Sequence, residues 1–124
     1  MTIHVDTSAL IDALTGPRRS LEDLIRLAEA GHRLSLSSIV LYEWLRGPRT
    51  RVELVAQEEV FPRERCVPFG AAQADVAAQL YRTMKSPRGR EIDLAIAACA
   101  LGDGAAIWTL NRRDFADVPG LKLI

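Results

Sequence analysis

Short apolar segments alternate with helical patterns along the whole chain of 124 residues. Strand spacing or a short apolar run predicts strands at 2–5, 34–36, 65–68, 106–109 and 121–123. Helical periodicity and breakers predict helices at 8–14, 20–30, 38–46, 50–61, 71–84 and 92–101, with a single turn at 112–115. Five strands separated by helices imply a parallel sheet with helices on both faces. The length suits one domain, so we expect one α/β domain over 1–124 with a five-stranded parallel sheet.

Local signals add detail to the predicted helices. Ser20 with Asp23 resembles a capping box at the start of the second helix, and Ser38 is the expected N-cap of the third. The segment 92–101 is nearly all apolar, so this helix is expected to be central and buried. Asp12 is expected on an exposed helix face.

Four acidic residues interrupt or end apolar segments. Asp6 follows the first predicted strand, Glu43 lies on the helix after the second, and Asp114 is in the loop after the fourth. Asp93 is in the first turn of the apolar helix. Buried carboxylates are costly unless a positive charge neutralises them, and parallel sheets bind ligands where their strands end. The pattern therefore predicts one pocket for a divalent cation, provided that the N-terminus of the apolar helix points to the same edge.

Each of these residues also has a simpler interpretation. Asp6, with Thr7 and Ser8, could cap the first helix, and Asp93 could be favoured by the helix dipole. Asp114, like Asn111, could brace a turn. The hypothesis of one site therefore rests on the four carboxylates occurring together at predicted strand ends.

Charge and composition exclude several kinds of protein. Acidic and basic residues balance at 16 each, so nucleic-acid binding would need local clusters of positive charge. Arginines do precede the later carboxylates, and Arg88, Arg90 and Arg112 are candidate contacts to the phosphates of a nucleic acid. No apolar run approaches the roughly 20 residues of a membrane span, and no signal peptide is evident. Two separated cysteines are expected to be free thiols, and we expect a cytoplasmic protein that makes no membrane contact.

Five segments carry a resemblance to a known family. They are V-D-T-S-A-L-I-D at 5–12, S-S-I-V-L-Y-E-W-L-R-G at 37–47, E-I-D-L-A-I-A-A-C-A-L at 91–101, W-T-L-N-R-R-D-F at 108–115 and V-P-G-L at 118–121. The chain resembles PIN-domain proteins, and among them VapC-type toxins of toxin–antitoxin pairs. The resemblance implies a ribonuclease that uses Mg²⁺ or Mn²⁺, usually forms a homodimer, and is neutralised by a small antitoxin protein.

By motif, the acidic quartet (Asp6, Glu43, Asp93 and Asp114) matches the family's catalytic and metal-binding carboxylates. Thr7 or Ser8, and Asn111, match its supporting polar positions. We expect Asp6 and Asp93 to be direct ligands of a first metal ion, with Glu43 and Asp114 completing the site directly or through water. One and two metal ions both remain compatible with this quartet.

Other functions remain open at this stage. A PIN-type nuclease of RNA processing would have the same quartet without being a toxin. A receiver-like signalling module has a similar α/β fold, but it needs a second acidic residue near Asp6 and a lysine near the last strand. The chain has no such acidic neighbour, and Lys122 lies inside the predicted strand. An aspartate-nucleophile phosphatase would need an aspartate at the position of Ser8. A non-catalytic binding protein would not need the quartet.

Overall fold

The computed structural model describes every residue from 1 to 124. The strands are β1 Thr2–Val5, β2 Arg33–Ser35 and β3 Ala106–Trp108. The helices are α1 Thr7–Leu14, α2 Arg19–Glu29, α3 Ser38–Arg46, α4 Arg51–Val60, α5 Ala71–Thr83 and α6 Glu91–Gly102. Two short 3-10 turns span Arg63–Arg65 and Arg112–Asp114. All the predicted helices form, and no bound differs from the prediction by more than one residue.

The sheet has three strands in the order β2-β1-β3, and both pairings are parallel. The prediction of five strands is therefore wrong. The segments at 65–68 and 121–123 each make only one parallel bridge, Ser37 with Val67 and Ile107 with Leu123. Val67 donates to the carbonyl of Leu36 at 2.8 Å, but the next residue is a proline, which has no N–H to extend the ladder.

Helix α6 is central and buried, as its sequence predicts. Every residue from Leu94 to Ala100 is buried, and the helix packs against α5, α3 and β3. Four of these seven residues are alanines, so neighbouring elements approach its backbone closely. The first turn of α6, which carries Asp93, is therefore held by the core of the protein.

The start of α2 differs from the prediction. Its N-cap residue is Arg18, in the left-handed region with φ 54°, and it makes no side-chain cap. The Ser20 N–H and hydroxyl instead donate to Asp12 Oδ2 at 2.8 and 2.6 Å. The capping box of Ser20 with Asp23 is thus wrong, and Asp12 is a half-buried structural acceptor instead of an exposed charge.

The N-cap of α3 is one residue earlier than predicted. Ser37 is the N-cap, and its hydroxyl accepts from the Val40 N–H at 3.2 Å. The Ser38 hydroxyl accepts from the Phe69 N–H at 3.0 Å instead. The two serines therefore fix the start of α3 and the adjacent loop, and with them the helix that carries Glu43.

The C-terminus of α3 is closed by an arginine stacked on a tryptophan. The Arg49 guanidinium lies 4.3 Å from the centre of the buried Trp44 ring, and its Nε donates to the Trp44 carbonyl at 3.0 Å. Gly47 makes room for this arrangement, because a Cβ there would lie 2.7 Å from Arg49 Nη2. This contact stabilises the end of α3 one turn beyond Glu43.

Both cysteines are free thiols, Cys99 buried and Cys66 partly buried. Burial, with a smaller effect of Asp103, raises the pKa of Cys99 to about 11, so this thiol is protonated at neutral pH. No helix in the fold combines the length and the apolar composition needed to cross a membrane.

Candidate active site

Asp6 lies at the end of β1 and is held by hydroxyl groups. Its side chain is 5% exposed, and Oδ2 accepts from Thr109 Oγ1 at 2.7 Å and from Ser8 Oγ at 3.1 Å. Asp6 is the N-cap residue of α1 by position, but its side chain makes no capping hydrogen bond. The simple interpretation of Asp6 as a helix cap is therefore wrong, and its second oxygen, Oδ1, is free of protein partners.

Thr109 belongs to the site, although it is not among the residues predicted from the sequence. It is 3% exposed and follows β3, as Asp6 follows β1. Besides donating to Asp6, its hydroxyl accepts from the Asn111 N–H at 2.9 Å, and Ser8 Oγ accepts from the Leu110 N–H at 3.0 Å. These bonds join the ends of two neighbouring strands. The available signal was its position directly after a strand, next to the motif that contains Asn111.

Glu43 projects from α3 and has two partners in the protein. Thr7 Oγ1 donates to Glu43 Oε1 at 2.5 Å, and Arg46 Nη2 lies 3.3 Å from Oε2. The Glu43 side chain is 17% exposed. The structure thus separates the two adjacent hydroxyls of the motif, because Thr7 contacts Glu43 whereas Ser8 contacts Asp6.

The pKa of Asp93 is affected by burial and by the charges of the other three carboxylates. Its pKa is raised to about 6, first by burial and then by the negative charges of Asp114, Asp6 and Glu43, while Arg90 lowers it. Charges act this strongly on a carboxyl group only from nearby. The four carboxylates therefore lie around one place, and the N-terminus of α6 does point to the edge where β1 and β3 end. Neither Asp93 nor the Asp114 side chain accepts a hydrogen bond from the protein.

Asp114 lies in the short turn after β3, and Arg90 contacts that turn. Arg90 Nη2 donates to the Asp114 main-chain carbonyl at 2.8 Å. The same guanidinium forms a bidentate pair with Asp117, at 2.8 and 2.7 Å. This pairing lowers the pKa of Asp117 and raises that of Arg90. Asn111 enters the network through its N–H, which bonds to Thr109, and its side chain makes no hydrogen bond.

The chemistry of the donor set fits a divalent metal ion. Carboxylate oxygens are the ligands preferred by Mg²⁺ and Mn²⁺. Burial, and after it the negative charges of the other three carboxylates, raise the pKa of Asp93, and a bound cation would offset those charges. No three acidic, histidine or cysteine side chains are already arranged to hold a metal ion. Both oxygens of Glu43 are paired with protein groups, whereas Asp6 uses only Oδ2, so Glu43 is the side chain that we expect to move on metal binding.

Comparison with protein families identifies the fold. A family model described as the PIN domain matches residues 3–121. The chain belongs to the PIN-domain family. No curated protein matches this PIN domain.

Solved structures similar to this PIN domain share its fold over nearly the whole length. One is a structure of VapBC2 from Rickettsia felis bound to a promoter DNA fragment, with 21% identity, a TM-score of 0.76, and coverage of 100% of this chain and 98% of that chain. DNA-bound VapBC from Salmonella typhimurium has 22% identity, a TM-score of 0.76, and coverage of 100% and 97%. FitAcB from Neisseria gonorrhoeae has 20% identity, a TM-score of 0.69, and coverage of 98% and 96%.

The three arginines predicted to contact RNA differ in their surroundings in this PIN domain. Arg88 is exposed and makes no hydrogen bond or ion pair. Arg112 Nη1 donates to the Ile124 carbonyl at 2.7 Å, and Arg90 is bound to Asp117. Arg88 is therefore the only one of the three whose guanidinium is wholly available to a ligand.

His4 is not part of the acidic cluster of this PIN domain. It is 1% exposed, and its Nε2 lies 2.9 Å from Asp103 Oδ2, just beyond the C-terminal end of α6. Asp93 is at the opposite end of the same helix.

Proposed function

We propose that this PIN domain is a ribonuclease dependent on Mg²⁺ or Mn²⁺, and that it is the toxin of a toxin–antitoxin pair. The observation that carries the proposal is the gathering of four carboxylates from separate elements around one place, with the pKa of Asp93 raised to about 6. Perturbed carboxyl groups at the ends of parallel strands are typical of functional sites. Membership of the PIN family supports nuclease chemistry for this site.

Asp6, Asp93, Glu43 and Asp114 would hold the metal ion. A bound divalent ion would supply a hydroxide nucleophile at neutral pH and would offset the charge that develops on the phosphate. The Thr109 and Ser8 hydroxyls hold Oδ2 of Asp6, which leaves Oδ1 as the oxygen available for coordination. Hydrogen-bonded partners of this kind orient ligating carboxylates and tune their affinity.

Glu43 and Asp93 differ in the protein partners that they have before a metal ion binds. Thr7 and Arg46 hold Glu43 in its present orientation, so its carboxylate must exchange at least one of these partners to coordinate a cation. Asp93 has no such partner, and in the metal-free protein it binds a proton as the pH falls towards about 6. We therefore expect metal binding to release protons and to involve movement of the Glu43 side chain.

The proposed partners are RNA, an antitoxin protein and a second copy of the chain. One similar structure is described as a toxin–antitoxin complex and another as a member of a family of toxin–antitoxin systems, which supports the proposal of a protein partner. Exposed apolar side chains also support it, since Tyr42 on α3 is 56% exposed and Val52 on α4 is 70% exposed. Apolar surface of this kind is commonly covered by another protein chain. We propose that the protein acts in the cytoplasm, where RNA substrates are present.

The nuclease proposal is tested by RNA cleavage with antitoxin-free protein. Transfer, ribosomal and messenger RNA are incubated with Mg²⁺, Mn²⁺ or a chelator, and with the wild type, Asp93→Asn or the control Asp75→Asn. Asp75 is exposed and lies outside the site. We expect metal-dependent cleavage by the wild type and the control, and none by Asp93→Asn. Cleavage in the chelator, or by Asp93→Asn with metal, would contradict the proposal.

The toxin role is tested separately from the chemistry. Expression in a bacterial host should arrest growth, Asp93→Asn should relieve the arrest, and co-expression of a short neighbouring reading frame should neutralise the wild type. Cleavage without growth arrest would instead favour a PIN nuclease of RNA processing.

A further inference from the structure

Arg90 lies between helix α6, which carries Asp93, and the turn that carries Asp114. It is the N-cap residue of α6, three residues before Asp93. Its side chain is only 20% exposed, whereas its neighbour Arg88 is exposed. Although Arg90 caps the helix by position, it makes no side-chain cap, and its guanidinium contacts the turn that carries Asp114.

Three hydrogen bonds fix this guanidinium. Nη1 and Nη2 donate to the two Asp117 oxygens at 2.8 and 2.7 Å, and Nη2 also donates to the Asp114 carbonyl at 2.8 Å. A planar guanidinium that binds a carboxylate through two parallel bonds has a defined orientation, unlike a lysine ammonium. The contact therefore ties the Asp114 turn to the N-terminus of α6 in one geometry.

We infer that Arg90 is a positioning residue that sets the separation between the Asp93 and Asp114 carboxylates, instead of a contact to RNA phosphates. This inference rests on the proposed metal-dependent function. Asp93 is fixed by the buried helix α6, but Asp114 lies in a turn of three residues after β3. The other hydrogen bonds of this turn run within it, Asp114 N–H to Asn111 and Phe115 N–H to Arg112, or to the C-terminal residue through Arg112 Nη1, and none of them connects it to the N-terminus of α6.

The charges around Arg90 also oppose a phosphate contact. Both terminal nitrogens already donate to Asp117, whose side chain is 58% exposed. A phosphate that approached the guanidinium from solvent would therefore meet the negative charge of Asp117. Arg90 instead offsets part of the negative charge of the acidic quartet, since it lowers the pKa of Asp93.

Two variants separate a positioning role from a phosphate contact. Arg90→Gln and Asp117→Ala break the same bidentate pair from opposite sides. If Arg90 positions Asp114, both variants should weaken Mn²⁺ binding by about 10-fold, the usual scale for outer-sphere partners of metal ligands. The double variant should then be no weaker than the worse single variant, because the two changes remove one interaction. If Arg90 acted only through its charge, Arg90→Gln should instead bind Mn²⁺ more tightly. If Arg90 contacts RNA instead, Asp117→Ala should leave RNA binding unchanged or strengthen it.

Mn²⁺ affinity is measured by calorimetry on the full chain without RNA, at a temperature where every variant is folded. Asp12→Ala is the matched control, since it removes the Ser20 contacts and destabilises the fold away from the site. It should keep wild-type affinity. Arg90→Lys, which keeps the charge without the planar fork, should give an intermediate affinity. Wild-type affinity in Asp117→Ala, or an equal loss in Asp12→Ala, would overturn the positioning role.

Amide hydrogen exchange supplies a readout that does not need metal. Breaking the pair from either side should speed exchange at residues 111–117 and leave α6 beyond its first turn unchanged. Unchanged exchange in both variants would overturn the contact itself. If the wild type bound no Mn²⁺ while exchange responded as expected, the proposed metal-dependent function would fail, although the contact of Arg90 with the Asp114 turn would be confirmed.

Discussion

Replacing Asp93 with asparagine is expected to stabilise the metal-free protein at neutral pH while abolishing cleavage. The folded-state pKa of about 6, against an ordinary value of 3.8, corresponds to about 3 kcal/mol of penalty for the charged form. Because part of the side chain contacts solvent, screening reduces this to roughly 1.5 kcal/mol. Asparagine loses about 0.5 kcal/mol of favourable helix-dipole interaction in the first turn of α6. The expected net gain is therefore about 1 kcal/mol.

This gain should depend on pH with a definite sign. The folded protein binds a proton at Asp93 more tightly than the unfolded chain does, so the associated stability is fully present below 3.8 and is lost as the pH rises through about 6. Asp93→Asn removes this dependence. The difference in unfolding free energy between variant and wild type should therefore be small near pH 4 and largest above about pH 6.5.

Urea denaturation in a chelator, followed at several pH values, measures this difference directly. Asp75→Asn is the control, because that side chain is exposed and carries no ion pair, and it should show no such pH profile. A stability difference that is constant between about pH 4 and 7.5, or an asparagine variant that is less stable at neutral pH, would refute the argument that burial and the neighbouring negative charges destabilise the ionised Asp93 side chain.

Other perturbations test the metal, the supporting hydroxyl, the RNA surface and the end of α3. Mn²⁺ should raise the melting temperature of the wild type in a concentration-dependent way, and scanning fluorimetry that shows no shift would contradict a metal site. Thr109→Val should lower cleavage and cost about 1–3 kcal/mol in urea denaturation, since it leaves Asp6 without its 2.7 Å donor; full activity would argue against its role. Arg88→Gln should reduce the slope of log K against log salt by about 0.7, measured by anisotropy with single-stranded RNA, and an unchanged slope would remove it from the RNA surface. Gly47→Ala should cost about 1 kcal/mol by displacing Arg49 from its indole ring, and an unchanged melting temperature would contradict that contact.

The sequence predicted helices and the convergence of the acidic residues more reliably than the extent of the sheet. Helix α6 was predictable because an apolar run of that length has no stable place except the interior. The segments at 65–68 and 121–123 were not, because ladder length depends on the partner strand and on proline positions as well as on apolar content. Both segments lie beside other parts of the fold, but each contributes only one bridge.

Contacts across turns were the least predictable part of the site. Asp12 and Ser20 are eight residues apart and meet only because α1 and α2 pack together, which no helical period encodes. Thr109 is a buried hydroxyl whose importance depends on Asp6 from another strand. The sequence predicts the same phosphate contact for Arg90 as for Arg88 and Arg112. It does not reveal the ion pair of Arg90, because the partner, Asp117, lies 27 positions further on.

The close packing of α6 has a consequence for the genetics of the chain. Seven consecutive buried positions, four of them alanine, leave no free volume for larger side chains. Most inactivating alleles in this helix should therefore be nulls that leave little folded protein in the cell. Under the proposed function, an allele at Asp93 would instead produce an intact but inactive protein that still binds its partner.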